Sequence, residues 1–405
     1  MNRTATWALC AIALAAAPAP GATGTTAADY YRRAFHVATV EARIELLTRA
    51  LAVNPNHVPS LRYRSTLHAI QGRDEPAYAD AARAADLSPA DPDLNYSAGL
   101  KADKLKRYAD AARLYGRALA LDRTSTRVRI QYLFALIKLR RIDPALKQAD
   151  RLVELRPDTN VPYSVRADVY EWADRYADAV RDLTVLVGRD PKNASHYLRR
   201  CINYRCLGEG EKALADAETA VQLKGGTAYG HAARGCSYEM LGQLDNALAD
   251  YRRADEIAAR EKADRRFYTI WRCIVLRKQG KRAEADALAR QFLKTLKDDE
   301  WVAPVLKYLA GEMTEAEVFR RAQHQDPDRN REQHCEAYYY VGACHLADGK
   351  LDRAEALFKK CLAQRVNNFY EHGFALRDLR TIKKRRAKTG AKGNAEGHRG
   401  QGRPR

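Results

Sequence analysis

NVPYSVRADVYEWADRYADAVRDLTVLVGRDP, residues 160–191, holds one whole helical hairpin and its stop signal. Tyr163, Ala167 and Tyr170 share one face of a first helix, Asp174 and Arg175 turn the chain, and Ala179, Leu183 and Leu186 share one face of a second. Asp190-Pro191 ends it. The stretch is one copy of a longer pattern. Ala77, Ala111, Ala145, Ala179, Ala213 and Ala247 stand 34 residues apart, and Ala84, Ala118, Leu152, Leu186, Ala220 and Ala254 keep the same step seven residues further on. Two helical turns return the chain to the same face. Tyr170, Tyr204 and Tyr238 repeat with that step, as do Gly208 and Gly242, and Pro89, Pro157 and Pro191 share one phase. Small residues recur because packed helix axes come within about 8–10 Å of each other. One hairpin cannot bury its own apolar face, so several must stack.

This period, with a small residue in the second helix and a Pro at its end, resembles the tetratricopeptide repeat (TPR). The resemblance implies an all-α fold, a TPR-type helical solenoid or superhelix of antiparallel helix pairs. Repeats read at 24–57, 58–91, 92–125, 126–159, 160–193, 194–227 and 228–261, the first irregular because Arg43 stands at the small position. Residues Glu261–Arg265 shift the register by four, so the next turn glycine is Gly280 and the next small residue Ala285. The expected organisation is a signal peptide at 1–24, a regular array at 25–261 and irregular helical repeats at 262–334. A C-terminal repeat with a capping helix follows at 335–380, where Phe369, Phe374, Ala375 and Leu379 are in phase, and a disordered basic tail at 381–405.

Of the 405 residues, 46% are hydrophobic and 30% charged, which suits a folded solenoid and leaves no room for a second globular domain. Met1-Asn2-Arg3 precedes an apolar run, Trp7–Ala17, and then the small residues Ala19-Pro20-Gly21-Ala22, the pattern of a cleaved secretory signal. Leu9 before Cys10 does not fit a lipid-anchoring site, so the expected product is periplasmic or secreted. Seven cysteines follow, without zinc spacing. They read as small buried residues, with a disulfide among Cys335, Cys344 and Cys361 as the alternative. The net charge is +19, and the segment from Lys383 on supplies +8 of it, with Lys383, Lys384, Arg385, Arg386 and Lys388 as its core. Such a segment is attracted to anionic surfaces.

No catalytic motif, phosphate loop or metal-ligand spacing is present, and no cofactor or small-molecule substrate is expected. The carboxylates Asp178, Asp182, Asp216 and Asp250 read as a solvated face, and His231 and His345 as isolated. What a solenoid offers is the concave groove lined by the first helix of each repeat. The residues in that phase are Arg62, Tyr96, Asp103, Phe134, Ile137, Asp168, Glu171, Ile202 and Arg205, a mixed surface suited to a protein or peptide partner. The Lys/Asn pair with which some repeat domains grip C-terminal carboxylates is absent: Arg62/Thr66, Tyr96/Leu100, Ile130/Phe134 and Ser164/Asp168 stand at those positions.

The C-terminal part carries a closer likeness. EAYYYVG (336–342), LDRAEALF (351–358) and NNFYEHGFAL (367–376), with Trp301-Val302-Ala303-Pro304 upstream, resemble the closing repeat and last helix of the NlpI family. That resemblance implies a non-enzymatic scaffold of the bacterial cell envelope, one that brings cell-wall hydrolases to a tail-specific protease and commonly forms a homodimer. The alternative reading is an intracellular TPR scaffold whose basic tail contacts nucleic acid or ribosomes.

Overall fold

The computed structural model describes residues 25–223, 226–297, 300–367 and 369–399, the side chains as far as 387. The expected signal peptide and Cys10 lie outside the described residues. All regular structure among the described residues is helical. The first helices are α1 (Ala27–Arg33), α2 (Val40–Val53), α3 (Val58–Ile70), α4 (Asp74–Leu87), α5 (Pro92–Lys104), α6 (Tyr108–Leu121) and α7 (Thr126–Lys138). Next come α8 (Ile142–Leu155), α9 (Asn160–Trp172), α10 (Tyr176–Arg189), α11 (Ala194–Leu207), α12 (Gly210–Leu223), α13 (Ala228–Met240) and α14 (Leu244–Arg260). The last are α15 (Arg266–Lys278), α16 (Arg282–Leu293), α17 (Val302–Leu309), α18 (Glu315–Arg321), α19 (Pro327–Ala347), α20 (Leu351–Ala363) and α21 (Tyr370–Arg399). The chain forms two compact units that meet within α7, one ending at Ala135 and the other starting at Leu136.

Successive helices pair as hairpins, and the first helix of a hairpin starts at Val58, Pro92, Thr126, Asn160, Ala194 and Ala228, in steps of 34. Both small-residue ladders are buried, with Ala111, Ala145, Ala179, Ala213, Ala247, Ala84, Ala118 and Leu186 all at 0–1% exposure. Starts are fixed by side-chain caps where the sequence supplies them. Asp91 accepts hydrogen bonds from the backbone N–H groups of Asp93 and Leu94, with Pro92 in the first helical position. Thr314 and Glu317 close a capping box on α18. Each hairpin turn from α3 to α16 places one residue of the same phase in the left-handed region: Gly72, Lys106, Arg140, Asp174, Gly208, Gly242 and Gly280. Three of the four residues of the register shift lengthen α14, which has 17 residues where α4, α6, α8, α10 and α12 have 14, and the fourth lengthens the connection to α15.

In the second unit one apolar core extends from Ala228 to Ile382 and includes Trp271, Tyr340, Phe358 and Phe374. The final helix is more than a cap. It runs from Tyr370 to Arg399, past the expected start of disorder at residue 381. Its described side chains beyond that point are held in place: Ile382 is 1% exposed, and Arg386 pairs with Glu355 and Asp352 on α20. Residues 400–405 lie outside the description. All seven cysteines from Cys201 on are buried free thiols, and among Cys335, Cys344 and Cys361 it is Cys335 and Cys361 whose sulfurs touch, at 3.3 Å.

Candidate functional site

The carboxylates read as a solvated face are buried instead. Asp182, Asp216 and Asp250 are each 4–5% exposed, and each is held by an arginine 16 residues earlier on the partner helix of its hairpin. Arg166, Arg200 and Arg234 donate two hydrogen bonds apiece at 2.7–2.8 Å, and Arg64 does the same to Asp80. These forked pairs are structural clamps that recur with the repeat. Asp178 is half-buried and bonded to Arg175. His231 is not isolated either, since its Nδ1 meets Asp250 at 2.9 Å, nor is His345, whose Nε2 meets Glu315 at 2.7 Å.

The groove phase can be followed by exposure. In the first unit it faces solvent: Arg62 and Thr66 on α3 are exposed, Leu100 on α5 is 39% exposed and Phe134 on α7 is 37% exposed. Tyr96 is half-buried beneath Arg127, whose guanidinium lies 4.4 Å from the ring centroid, and Asp103 is half-buried near the end of α5. In the second unit the same phase is covered. Ile202 is half-buried, and Cys236, one step of 34 further on, is wholly buried.

What covers it is α21. The loop before this helix and the helix's first turn reach back to the turn between α9 and α10: Asn367 Nδ2 donates to Trp172 O at 3.1 Å and to Asp174 Oδ1 at 3.0 Å, and His372 Nε2 meets the same Asp174 oxygen at 3.1 Å. Burial works to raise the Asp174 carboxyl, but hydrogen bonds from His372, Tyr176 and Asn367 hold it below its ordinary range. Further along, Phe374 packs edge-on to Trp271 at 5.4 Å, and Arg377 lies against Glu239 of α13 at 3.0 Å. Lys278 of α15 also meets Glu239, at 2.7 Å, and Tyr251 donates to it at 2.8 Å. Burial alone would raise the Glu239 carboxyl, yet Arg377 and Lys278 bring it down to about 2.

Two of the nine expected groove residues therefore need correction. Ile137 is 2% exposed and belongs to the core, because three residues beyond Phe134 a helix falls some 60° short of a full turn. Arg205 is 4% exposed and lies beneath α21, with its guanidinium 5.1 Å from the Phe374 ring centroid. Asp168, Glu171 and Ile202 are half-buried. Glu171, Ile202 and Arg205 converge on one cavity of about 180 Å³, closed on its other side by Asn367, Phe369, Tyr370 and Gly373. Arg199 joins them there and binds Asp168 at 2.5 Å. Of the tail residues, Lys383 and Lys384 are exposed on α21 and Arg385 reaches Leu346 O at 3.5 Å, while the Lys388 side chain lies outside the description. Glu239 escaped the sequence reading although it stands 34 residues after Arg205, so extending the groove phase by one repeat would have found it.

Among the described residues no group of His, Cys, Asp and Glu side chains is arranged to hold a metal ion, and no helix is long and apolar enough to cross a membrane. Residues 104–169 match the family model for the tetratricopeptide repeat. The chain is 29% identical over 222 residues to the lipoprotein NlpI homolog of Haemophilus influenzae, a match covering 54% of this chain and 68% of that protein. Two solved repeat proteins are also similar. One, from Parabacteroides merdae, is 17% identical, with 58% of this chain and 94% of that one covered and a TM-score of 0.43. The other, a thermophilic protein from Thermus thermophilus, is 27% identical, with 42% and 92% covered and a TM-score of 0.34. By its helical hairpins, its 34-residue step and the family-model match over residues 104–169, the chain is a tetratricopeptide-repeat protein, and its sequence resembles that of the NlpI homolog.

Proposed function

We propose that this protein is a non-catalytic binding scaffold of the bacterial cell envelope, and that it takes an extended or helical segment of a protein partner on the first-helix face of residues 58–135. One observation carries the choice of surface. Along a single phase of the repeat, Leu100 and Phe134 are exposed apolar side chains, whereas the corresponding Cys236 is wholly buried in the core that the chain's own α21 joins. Exposed apolar groups flanked by Arg62, Tyr96 and Asp103 supply the contact area and the polar rim that peptide recognition uses. The envelope assignment is supported by the similarity to a lipoprotein and by the apolar run Trp7–Ala17. Cell-wall hydrolases and their protease are the partners that the NlpI resemblance suggests, and a homodimer is part of the same expectation. The basic end of α21, with Lys383 and Lys384 exposed, is the surface proposed to meet anionic lipid or polymer.

The test is quantitative capture from envelope fractions, followed by mass spectrometry, using wild type and the double variant Leu100→Asp/Phe134→Asp. Both positions are exposed, so the melting temperature should change little. Partners that copurify with wild type should be lost by the variant. Unchanged capture would place the interaction elsewhere, and N-terminal sequencing that finds Met1 intact on cytosolic protein would remove the envelope assignment.

A further inference from the structure

Cys335 of α19 and Cys361 of α20 face each other inside the closing hairpin. Their sulfurs lie 3.3 Å apart, and both residues are 0% exposed. The regular repeats use the same two positions. Gly342 meets Phe358 as Gly235 meets Tyr251, so Cys335, seven residues before the glycine, corresponds to Ala228, and Cys361, three residues after the aromatic, corresponds to Ala254. One repeat earlier the pair is Ala194 and Ala220. All four alanines are buried. Packing therefore asks only for a small residue at each position, and two facing thiols add a chemistry that alanine lacks.

Other cysteines meet different groups. Cys201 lies 3.6 Å from Ser237 Oγ, Cys236 accepts from the Tyr251 hydroxyl at 3.2 Å, and Cys273 donates to Ala285 O at 3.5 Å. The sulfurs of Cys335 and Cys361 stand about 1.3 Å further apart than in a disulfide bond, a gap that modest rotation about the two Cα–Cβ bonds closes. Cys361 Sγ also donates to Glu371 O at 3.7 Å, so the pair lies directly under the first turn of α21. Burial, and then Cys335 beside it, pushes the Cys361 thiol well above its ordinary range. The folded, reduced hairpin thus holds little thiolate and keeps reagents out. Oxidation accordingly belongs to folding, before α21 closes over the hairpin.

We infer that Cys335 and Cys361 form a structural disulfide when the chain folds in an oxidising compartment, stapling α19 to α20 beneath α21. Two exchanges with one external disulfide donor make the bond. The thiolate of one cysteine attacks the donor, joins one of its sulfurs and releases the other as a thiol. The thiolate of the second cysteine then attacks the protein sulfur of that mixed disulfide, which forms the bond between Cys335 and Cys361 and releases the second donor thiol. The two cysteine sulfurs are oxidised, the donor is reduced by two electrons, and the two protons leave on its thiols. The supply of oxidant rests on the envelope reading, whereas the pairing rests on the geometry of the hairpin. The bond ties residues 26 apart, and such a link stabilises chiefly by restricting the unfolded chain.

Two samples of the full-length protein test this. In the first, protein from fractionated producing cells is denatured in N-ethylmaleimide, which caps free thiols, and its peptides are mapped by mass spectrometry with and without reduction. The expected result is envelope protein in which the Cys335 and Cys361 peptides stay joined until reduced, with the other cysteines capped. In the second, reduced and unfolded protein is refolded in a mixture of oxidised and reduced glutathione. The same pair should join there, and should join more slowly when the mixture is added to protein already folded in its reduced form. The oxidised protein should melt roughly 5–10 °C above the reduced form. Cys361→Ala, which places the residue of the regular repeats, should fold, lose the cross-link and melt at one temperature in both conditions, whereas Cys344→Ala should keep the cross-link. Capped Cys335 and Cys361 in envelope protein, a refolded sample in which they stay free or pair with other cysteines, or equal melting of the oxidised and reduced forms would each overturn the inference. Cytosolic protein with free thiols, together with a cross-linked refolded sample, would remove the envelope reading and leave the pairing standing.

Discussion

Within each hairpin, residues 16 apart act as pairs of matched volume. A Cβ built on Gly99 would stand 2.5 Å from the ring of Tyr115, one on Gly235 2.8 Å from Tyr251, and one on Gly342 2.8 Å from Phe358. Where the first helix carries a larger residue, as at Cys201, the second carries Ala217. Gly99→Ala should therefore destabilise by overpacking, about 1–3 kcal/mol, set against the ~1 kcal/mol that Ala gains over Gly in a helix. Combining it with Tyr115→Leu should relieve the clash and give a coupling of about 1–3 kcal/mol in a double-mutant cycle of urea melts. Simple additivity would show that the two sites do not share one packing space. The alanine ladder was legible in the sequence because each rung is a local, same-helix fact. The arginine clamps on Asp182, Asp216 and Asp250 were not, although Arg166, Arg200 and Arg234 also keep the 34-residue step. Helix phase alone shows which way a carboxylate points, and its fate is decided by the side chain that meets it from the partner helix.

At the scale of the element, α21 is where sequence and structure part most. Its apolar marks, Phe374, Ala375 and Leu379, were legible as a closing helix, but its partners lie far back in the chain: His372 and Asp174 are 198 residues apart. Periodicity carries no information over such a separation. Its charged residues also misled, because Arg377 and Asp378 are 5% and 2% exposed and work as a buried ionic lock. A second buried group joins α21 to α19. Burial, then the neighbouring Glu371, pushes the Glu336 carboxyl up to about 8, with the Trp301 N–H, which donates at 2.6 Å, pulling the other way. Glu371 is raised by burial as well and accepts from the Tyr340 hydroxyl at 2.5 Å. A carboxyl that holds its proton more tightly folded than unfolded gives stability that declines as pH rises from about 4.3, the unfolded value, to about 8. The slope approaches about 1.4 kcal/mol per pH unit. Glu336→Gln should flatten that decline in urea melts taken from pH 5 to 8, and an unchanged slope would mean that Glu336 titrates normally.

For the whole molecule, the repeat array itself was legible down to the four-residue shift between α14 and α15, since every hairpin restates the same local pattern. The groove was legible only as a phase. Arg62, Tyr96, Asp103 and Phe134 retain access to solvent, whereas the second unit fills the corresponding face with its own final helix. A single repeat pattern thus yields one surface open to solvent and one reserved for intramolecular packing, and the difference depends on where the chain's end returns. Hydrogen exchange of the full-length protein, resolved to the amides of residues 370–382, tests this division most directly. Buried helices exchange only through large-scale opening. The expected result is protection in this segment comparable to that of α13 and α15, together with a loss of protection in α11, α13 and α15 when Phe374→Asp breaks the docking. Exchange of residues 370–382 at the rate of a fraying terminus, with α11, α13 and α15 protected regardless, would contradict it.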